Sequence, residues 1–228
     1  TAALSNVINE VFVADGAHVK LNKIQNENDN TYHIGADFAS QGKDSTFTIN
    51  TLPANAKLIR NNVNILLDGP NSTANLYGAV CLNGNIHVDN QTFVNHAKPN
   101  CESNELYKTV VNDSASNIFN GKIYVNKVAQ KTNAFQSNAN ILLSDKAKTN
   151  SKPQLEIYAD DVKCSHGCTI GQFDDEALFY LRARGIKEST AQKVLLDAFI
   201  GEVLDNIKIE SVRAYADSLI TENFNSKA

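Results

Sequence analysis

The 228-residue sequence has no methionine, no tryptophan and only four prolines. No apolar stretch approaches the roughly 18 residues of a membrane span. The longest candidate, 194–204, is interrupted by Asp197 and Glu202. Only 20% of the residues are charged and the net charge is −4, so the sequence lacks the basic excess of a nucleic-acid-binding protein. These absences argue against both a membrane protein and a nucleic-acid-binding protein.

Basic residues are also missing from the N-terminal region, where Lys20 is the first. The sequence therefore predicts no signal peptide. Four cysteines are present, Cys81, Cys101, Cys164 and Cys168, in a chain large enough to fold without disulfides. We expect free thiols and a cytoplasmic location. Because the chain begins at Thr1 and contains no methionine, we also expect it to be a piece of a longer protein.

Asparagine is the residue present in excess. There are 30, and 27 of them fall within the first 150 residues. Asparagine is unfavourable inside helices and strands but tolerates turns and the left-handed backbone conformation. In a chain that is 42% hydrophobic, this predicts many short strands joined by many turns.

Apolar and polar residues alternate with a period of two over residues 19–159. Phe47 and Ile49, for example, alternate with Thr46 and Thr48, which is the signature of strands. The clearest runs are centred roughly 15 to 22 residues apart, a spacing that suits the coils of a β-helix. Asparagines at equivalent turns of successive coils would then form hydrogen-bonded ladders. A β-sandwich gives a similar alternation, and the alternation alone does not choose between the two folds.

The pattern changes at residue 174, beyond which only three of the asparagines lie. Asp174 is suited to begin a helix and Gly185 to end it, and Ser189 with Gln192 forms a capping-box pattern for a second helix. The sequence therefore predicts a β-domain over 1–173 and a helical subdomain over 174–228.

The helical subdomain carries apolar residues at helical spacing. Either they pack on the end of the β-domain or they dock a partner, and one element can serve both purposes. The stripes comprise Ala191, Val194, Leu195, Ala198, Phe199, Val203, Leu204 and Ile207, followed by Val212, Tyr215, Ala216 and Leu219.

The clearest candidate for chemistry is the alternation of Cys164, His166 and Cys168. In a strand these side chains share one face, about 6.6 Å apart. Thiolate and imidazole suit iron–sulfur clusters, zinc or copper(I). Three such ligands in a row rarely complete a four-coordinate site, so a site here would be open or shared with another chain. The alternative is two buried thiols and a hydrogen-bonded histidine at a strand end.

Two other polar groups are weaker candidates. Asp160 and Asp161 are adjacent, so in a strand they point to opposite faces and cannot flank one scissile bond. His87 and Asp89 would share one strand face, where the carboxylate could orient the imidazole. Alternatively, that pair belongs to a polar ladder inside a narrow solenoid.

The stretch 154–167, which contains Cys164-Ser165-His166-Gly167, resembles the signature of the SufB/SufD family of iron–sulfur cluster assembly proteins. Further blocks in family order resemble the same proteins, with weaker similarity from residue 10 onward. The blocks at 119–125 and 163–167 are more similar to the SufD branch than to the SufB branch. The further blocks are 87–90, 103–108, 119–125, 130–134 and 178–186.

The resemblance implies a right-handed parallel β-helix core with a C-terminal α-helical subdomain. It implies a scaffold rather than an enzyme, partnered by a SufB-like subunit and a SufC-like ABC-type ATPase, with homodimers formed in isolation. A transient iron–sulfur cluster would form in the complex, which the family associates with a reduced flavin, and no cofactor is expected on this chain alone. The resemblance assigns cluster assembly to His166, together with Cys164.

ATPase docking falls to the C-terminal helical region, for which we select Leu178, Phe179, Tyr180, Arg182 and Arg184. Cys168 stands where the family often has alanine, and it adds a third soft ligand. The family's N-terminal helical region is missing from this sequence. The alternative functions are a stand-alone metal-binding protein and, with less support, a β-helix carbohydrate-active enzyme.

Overall fold

The structure, a computed structural model, describes residues 1–225. They form twelve β-strands followed by three helices. Strands with odd numbers form one six-stranded parallel sheet, the odd sheet, and those with even numbers form a second, the even sheet. The odd sheet contains β1 (Ala3–Val13), β3 (Thr31–Gln41), β5 (Leu58–Leu67), β7 (His87–His96), β9 (Ser116–Val125) and β11 (Lys148–Ile157). The even sheet contains β2 (His18–Asn26), β4 (Thr46–Asn55), β6 (Thr73–Leu82), β8 (Glu102–Val111), β10 (Thr132–Leu142) and β12 (Val162–Gly171).

The chain alternates between the two sheets and forms a β-solenoid of about six turns. Each coil contains one strand of each sheet and a turn at either end. Residues paired in neighbouring coils are between 26 positions apart, as for Tyr32 and Leu58, and 32 apart, as for Ser116 and Lys148. The parallel pairing excludes the β-sandwich. It also corrects the interpretation of the strand spacing, because consecutive strands in the sequence belong to one coil and not to successive coils.

In each of the first five coils, the turn from the odd sheet to the even sheet adopts the left-handed conformation at an equivalent position. These residues are Gly16, Asp44, Asn71, Asn100 and Lys131, with φ between 55° and 69°. Their N–H groups donate to the next coil, as Asp44 does to the Pro70 carbonyl at 3.0 Å. Since asparagine and aspartate tolerate this conformation best after glycine, the predicted role of asparagine in turns is confirmed here.

The asparagine ladders extend beyond the turns. The Asn71 amide donates to Asp44 Oδ1 at 2.8 Å between two turns, as predicted. Asn50 and Asn22, however, are paired within β4 and β2, with 2.8 Å between Nδ2 and Oδ1. Many asparagines therefore occupy strands, where the amide of one coil satisfies the amide of the next.

Three helices follow β12: α1 (Asp175–Ala183), α2 (Glu188–Leu204) and α3 (Glu210–Asn225). The predicted first helix is confirmed. Asp174 Oδ1 accepts hydrogen bonds from the N–H groups of Glu176 and Ala177, at 2.9 and 3.1 Å, and Gly185 follows the helix with φ +85°. The predicted capping box is wrong, because α2 begins at Glu188, before Ser189. Residues 226–228 of the predicted 174–228 subdomain lie outside the described residues.

The helices cover the outer face of the even sheet and not the end of the solenoid, which corrects one predicted packing mode. Outward side chains of the sheet, Leu52, Ala79, Cys81 and Val110, form a cluster with α2, α3 and their connection. The predicted stripe of α2 is confirmed at Ala191, Val203 and Leu204, which are buried. It is wrong in the middle of the helix, where Leu196 and Ile200 are buried and Val194 is 46% exposed. In α3, Ala216 and Leu219 are buried as predicted.

Candidate functional site

The last strand, β12, carries the three predicted ligands on one face, as the alternation predicted. Cys164, His166 and Cys168 pair in register with the inward-facing Ala134, Gln136 and Asn138 of β10. They therefore point to the interior side of the last coil. Cys164 is half-buried, whereas His166 and Cys168 are exposed, because the described residues place no further coil above β12.

The three side chains follow one another along the strand and do not converge on one point. Among residues 1–225 no group of three histidine, cysteine or acidic side chains is placed to hold a metal ion. Cys168 Sγ instead lies 3.9 Å from the amide oxygen of Asn138, its neighbour in β10. We call the line of donors along β12 the open half-site, because a metal ion bound there would need ligands from elsewhere to complete its coordination shell.

Burial raises the pKa of the Cys164 thiol, an effect that a backbone hydrogen bond at Ala134 partly opposes. This thiol is therefore protonated at neutral pH and must lose its proton to bind iron. The other cysteines form no disulfide, and Cys81 and Cys101 are buried. The prediction of free thiols is confirmed for all four.

A buried polar pair lies directly below His166 in the solenoid interior. Glu105 of β8 and Gln136 of β10 are 4% and 3% exposed, and Gln136 Nε2 donates to Glu105 Oε2 at 2.6 Å. Desolvation raises the pKa of Glu105 to about 7, although the hydrogen bond from Gln136 opposes the rise. In the sequence, the only signal of this pair is an acidic residue within an alternating strand.

His87 and Asp89 share one face of β7, as predicted, but the carboxylate does not orient the imidazole. Both lie on the outer face of β7, where His87 Nδ1 contacts Ser116 Oγ at 2.7 Å and Asp89 forms an ion pair with Arg60. The interior histidine of β7 is His96, whose Nε2 lies 2.9 Å from Ser103 Oγ. Burial lowers the pKa of His96 to about 4, so this ring is neutral.

Helix α1, which carries the predicted docking residues, is the least covered helix and has no buried residue. Phe179 and Tyr180 are 73% and 57% exposed, and Leu178 is half-buried. The Arg184 guanidinium lies 4.8 Å from the centre of the Tyr180 ring, and Arg182 forms an ion pair with Glu188 at 3.3 Å. An exposed aromatic pair flanked by arginines has the composition of an interaction surface.

Comparison with known proteins identifies the family. Residues 1–199 match the family model described as the SUF system FeS cluster assembly SufBD core domain. The chain belongs to the SufB/SufD family. The match spans the whole solenoid, α1 and most of α2, and so includes β12 and its three donor side chains.

Curated SufB/SufD relatives support this membership. The chain is 37% identical to the iron–sulfur cluster assembly protein SufD of Escherichia coli, over 88% of this chain and 48% of the relative. It is 35% identical to a SufBD family protein of Synechocystis, over 92% of this chain and 46% of that protein. The chloroplastic protein ABCI7 of Arabidopsis thaliana is 34% identical, over 93% of this chain and 45% of that protein. The chain thus spans about half the length of the curated relatives it matches.

Proposed function

We propose that this chain is a SufD-like component of a scaffold on which iron–sulfur clusters are assembled. The SUF family match over residues 1–199 carries the proposal. We further propose that the cluster forms at an interface with a SufB-like subunit, and that a SufC-like ATPase docks on the C-terminal helices. In this proposal the cluster is cargo, and the chain itself converts no substrate.

The free edge of the last coil supports an interface at β12. Within the described residues, β11 and β12 are the last strands of their sheets, and each has one edge without a strand partner. An uncovered strand edge presents N–H and C=O groups that a partner chain can pair with. A SufB-like subunit seated there would bring its own ligands to within reach of His166 and Cys164.

Shared ligation fits the chemistry of this half-site. His166 offers an exposed imidazole, and the Cys164 thiol becomes a ligand when iron displaces its proton. Cys168 adds a third donor on the same face. In β12, His166 is the one ring on which the reduced flavin that the resemblance associates with the assembled complex could stack.

Docking of the ATPase is assigned to α1 because its aromatic and arginine side chains are exposed. ATP-driven movement transmitted through α1 would then open the interface at β12, since only three residues separate Gly171 from Asp175. The runner-up function, a stand-alone metal-binding protein, has less support because the donors of β12 lie in a line and form no closed site.

Cluster assembly by the reconstituted complex tests the role of His166. We expect His166→Ala to join the complex but to lower the rate of cluster formation, because the half-site loses its imidazole. His18→Ala is the matched control, since His18 is also exposed but lies at the start of β2, at the other end of the solenoid. A His166→Ala complex that assembles clusters at the normal rate would contradict the assigned role.

Binding of a SufC-like ATPase tests the role of α1 separately. We expect Phe179→Ala with Tyr180→Ala to weaken binding without changing the thermal stability of the chain, because both rings are exposed. Phe135→Ala is the control, since Phe135 is 45% exposed on the outer face of β10. Equal affinity of the double variant and the control for the ATPase would refute docking on α1.

A further inference from the structure

Three polar side chains form a column in the interior of the last three coils. Glu105, Gln136 and His166 occupy equivalent positions of β8, β10 and β12, as the register of the even sheet shows. Glu105 and Gln136 are buried, and His166 is exposed. Neighbouring strands lie about 4.8 Å apart, so each side chain of such a column lies next to the one in the following coil.

In the side-chain amide of Gln136, the nitrogen is hydrogen-bonded and the oxygen is not. Its Nε2 donates to Glu105 Oε2 at 2.6 Å, which directs the NH₂ group towards β8. Its Oε1 is buried and accepts no hydrogen bond from any described residue. A buried oxygen without a hydrogen bond is destabilising, so this acceptor favours any donor that the neighbouring strand can supply.

Close packing holds the amide in place. A Cβ atom on Gly121, which belongs to β9 of the odd sheet, would lie 2.2 Å from Gln136 Nε2. The amide therefore fills the space above this glycine, and Gln136 has little freedom to rotate. The residue in register with it on the open side is His166, whose imidazole carries a ring N–H in either tautomer.

We propose that Gln136 is a positioning residue for His166. The exposed imidazole makes no hydrogen bond to Gln136 in the structure; in the proposal it turns so that Gln136 Oε1 accepts a hydrogen bond from one ring nitrogen, while Glu105 holds the amide in that orientation. The proposal rests on the proposed role of His166 in cluster assembly. A ring nitrogen fixed as a donor leaves the other unprotonated and available to iron, which is how a second layer of residues orients metal-binding histidines.

The test compares four variants of the full chain. Gln136→Met keeps the length of the side chain but removes the acceptor. Gln41→Met is the matched control, because Gln41 is 1% exposed in β3 and its Oε1 also has no partner among the described residues. Glu105→Leu removes the anchor of Gln136, whereas Glu105→Gln keeps an oxygen that can accept the same hydrogen bond.

Two measurements separate this proposal from the proposed function. Long-range ¹H–¹⁵N NMR of the isolated chain reports the tautomer of the His166 ring, and reconstituted assembly reports the rate. We expect Gln136→Met and Glu105→Leu to shift the tautomer ratio of His166 and to lower the assembly rate by about 10-fold or more. Glu105→Gln and Gln41→Met should retain the wild-type values of both.

An unchanged tautomer ratio of His166 in Gln136→Met overturns the proposal, whatever the assembly rate. Should Gln136→Met fail to fold, the comparison of Glu105→Leu with Glu105→Gln decides the same question. A shifted tautomer ratio in Gln136→Met, combined with normal assembly by His166→Ala, supports the hydrogen bond and refutes the role of His166 in cluster formation.

Discussion

Replacing Glu105 with glutamine should stabilise the protein above neutral pH. Glu105 lies in the solenoid interior, 4% exposed, and its Oε1 has no hydrogen-bond partner among the described residues. Because burial disfavours the carboxylate, the folded protein retains the proton up to a pKa of about 7, whereas the ordinary value is 4.5. Ionising this group therefore opposes folding, and the neutral amide of Glu105→Gln avoids that cost.

The size of the effect follows from the displacement of the pKa. The folded state binds the proton of Glu105 more tightly than the unfolded state does. The contribution of Glu105 to the free energy of unfolding is therefore greatest below about pH 4.5, falls as the pH rises to about 7 and is constant above that. At about 1.4 kcal/mol per pH unit, the displacement corresponds to about 3 kcal/mol. Relative to the wild type, Glu105→Gln should gain stability by up to this amount between about pH 4 and pH 8.

Urea unfolding followed by tyrosine fluorescence measures this difference, since the chain has seven tyrosines and no tryptophan. Glu102→Gln is the matched control, because Glu102 is an exposed glutamate at the start of the same strand. It should follow the wild type at every pH. If the unfolding free energies of Glu105→Gln and the wild type change in parallel from about pH 4 to pH 8, the burial argument is wrong.

Three further predictions concern packing, turns and thiols. Gly78→Ala should lower the free energy of unfolding, measured in urea, by at least about 2 kcal/mol, because the new Cβ would lie 2.1 Å from Tyr107 Cδ1. Gly167→Ala is the control and should be nearly neutral, because a Cβ at Gly167 would have nothing within 4 Å. Asn71→Ala should cost about 1–2 kcal/mol in thermal unfolding because residue 71 has φ +59°, and Asn71→Gly should restore most of the loss. In a timed alkylation with iodoacetamide, followed by mass spectrometry, the exposed Cys168 should react before the half-buried Cys164, and the buried Cys81 and Cys101 should be protected. Equal labelling of Cys164 and Cys168 would contradict the burial described for them.

Strand alternation was sufficient to predict the shared face of Cys164, His166 and Cys168, because it fixes which side chains lie together. It left a β-helix and a β-sandwich open, and only the resemblance to the SufB/SufD family favoured the parallel solenoid. The sequence was not sufficient for α2. Residues 194–196 and 198–200 are apolar on nearly every side of a helix, so spacing alone cannot choose the buried stripe. Contact with Ala79 and Cys81 of the even sheet selects Leu196 and Ile200.

The polar pair beneath His166, Glu105 and Gln136, could not be predicted from strand alternation either. In β8, both alternating sets of side chains contain polar residues: Ser103, Glu105 and Thr109 in one set, and Asn104 and Lys108 in the other. The sequence therefore cannot say which set faces inward. Pairing with the neighbouring strands determines which set of side chains faces inward. That pairing depends on turn lengths, which vary from coil to coil.

The position of Glu105 and Gln136 within their column argues for a role beyond stability. Following the register of the even sheet from one end of the solenoid to the other, the column changes from apolar to polar halfway along. Its members are Leu21, Ile49, Leu76, Glu105, Gln136 and His166. Interior polar groups with unpaired atoms cost stability, and proteins retain such costs mainly where function requires them. The first three coils supply apolar packing at this position. Within this column, the cost is confined to the coils that lead to the open end, where His166 lies. If Glu105→Gln raises the stability as expected while Gln136→Met alters the His166 ring, the interior of the last coils is organised for the site and not for the fold.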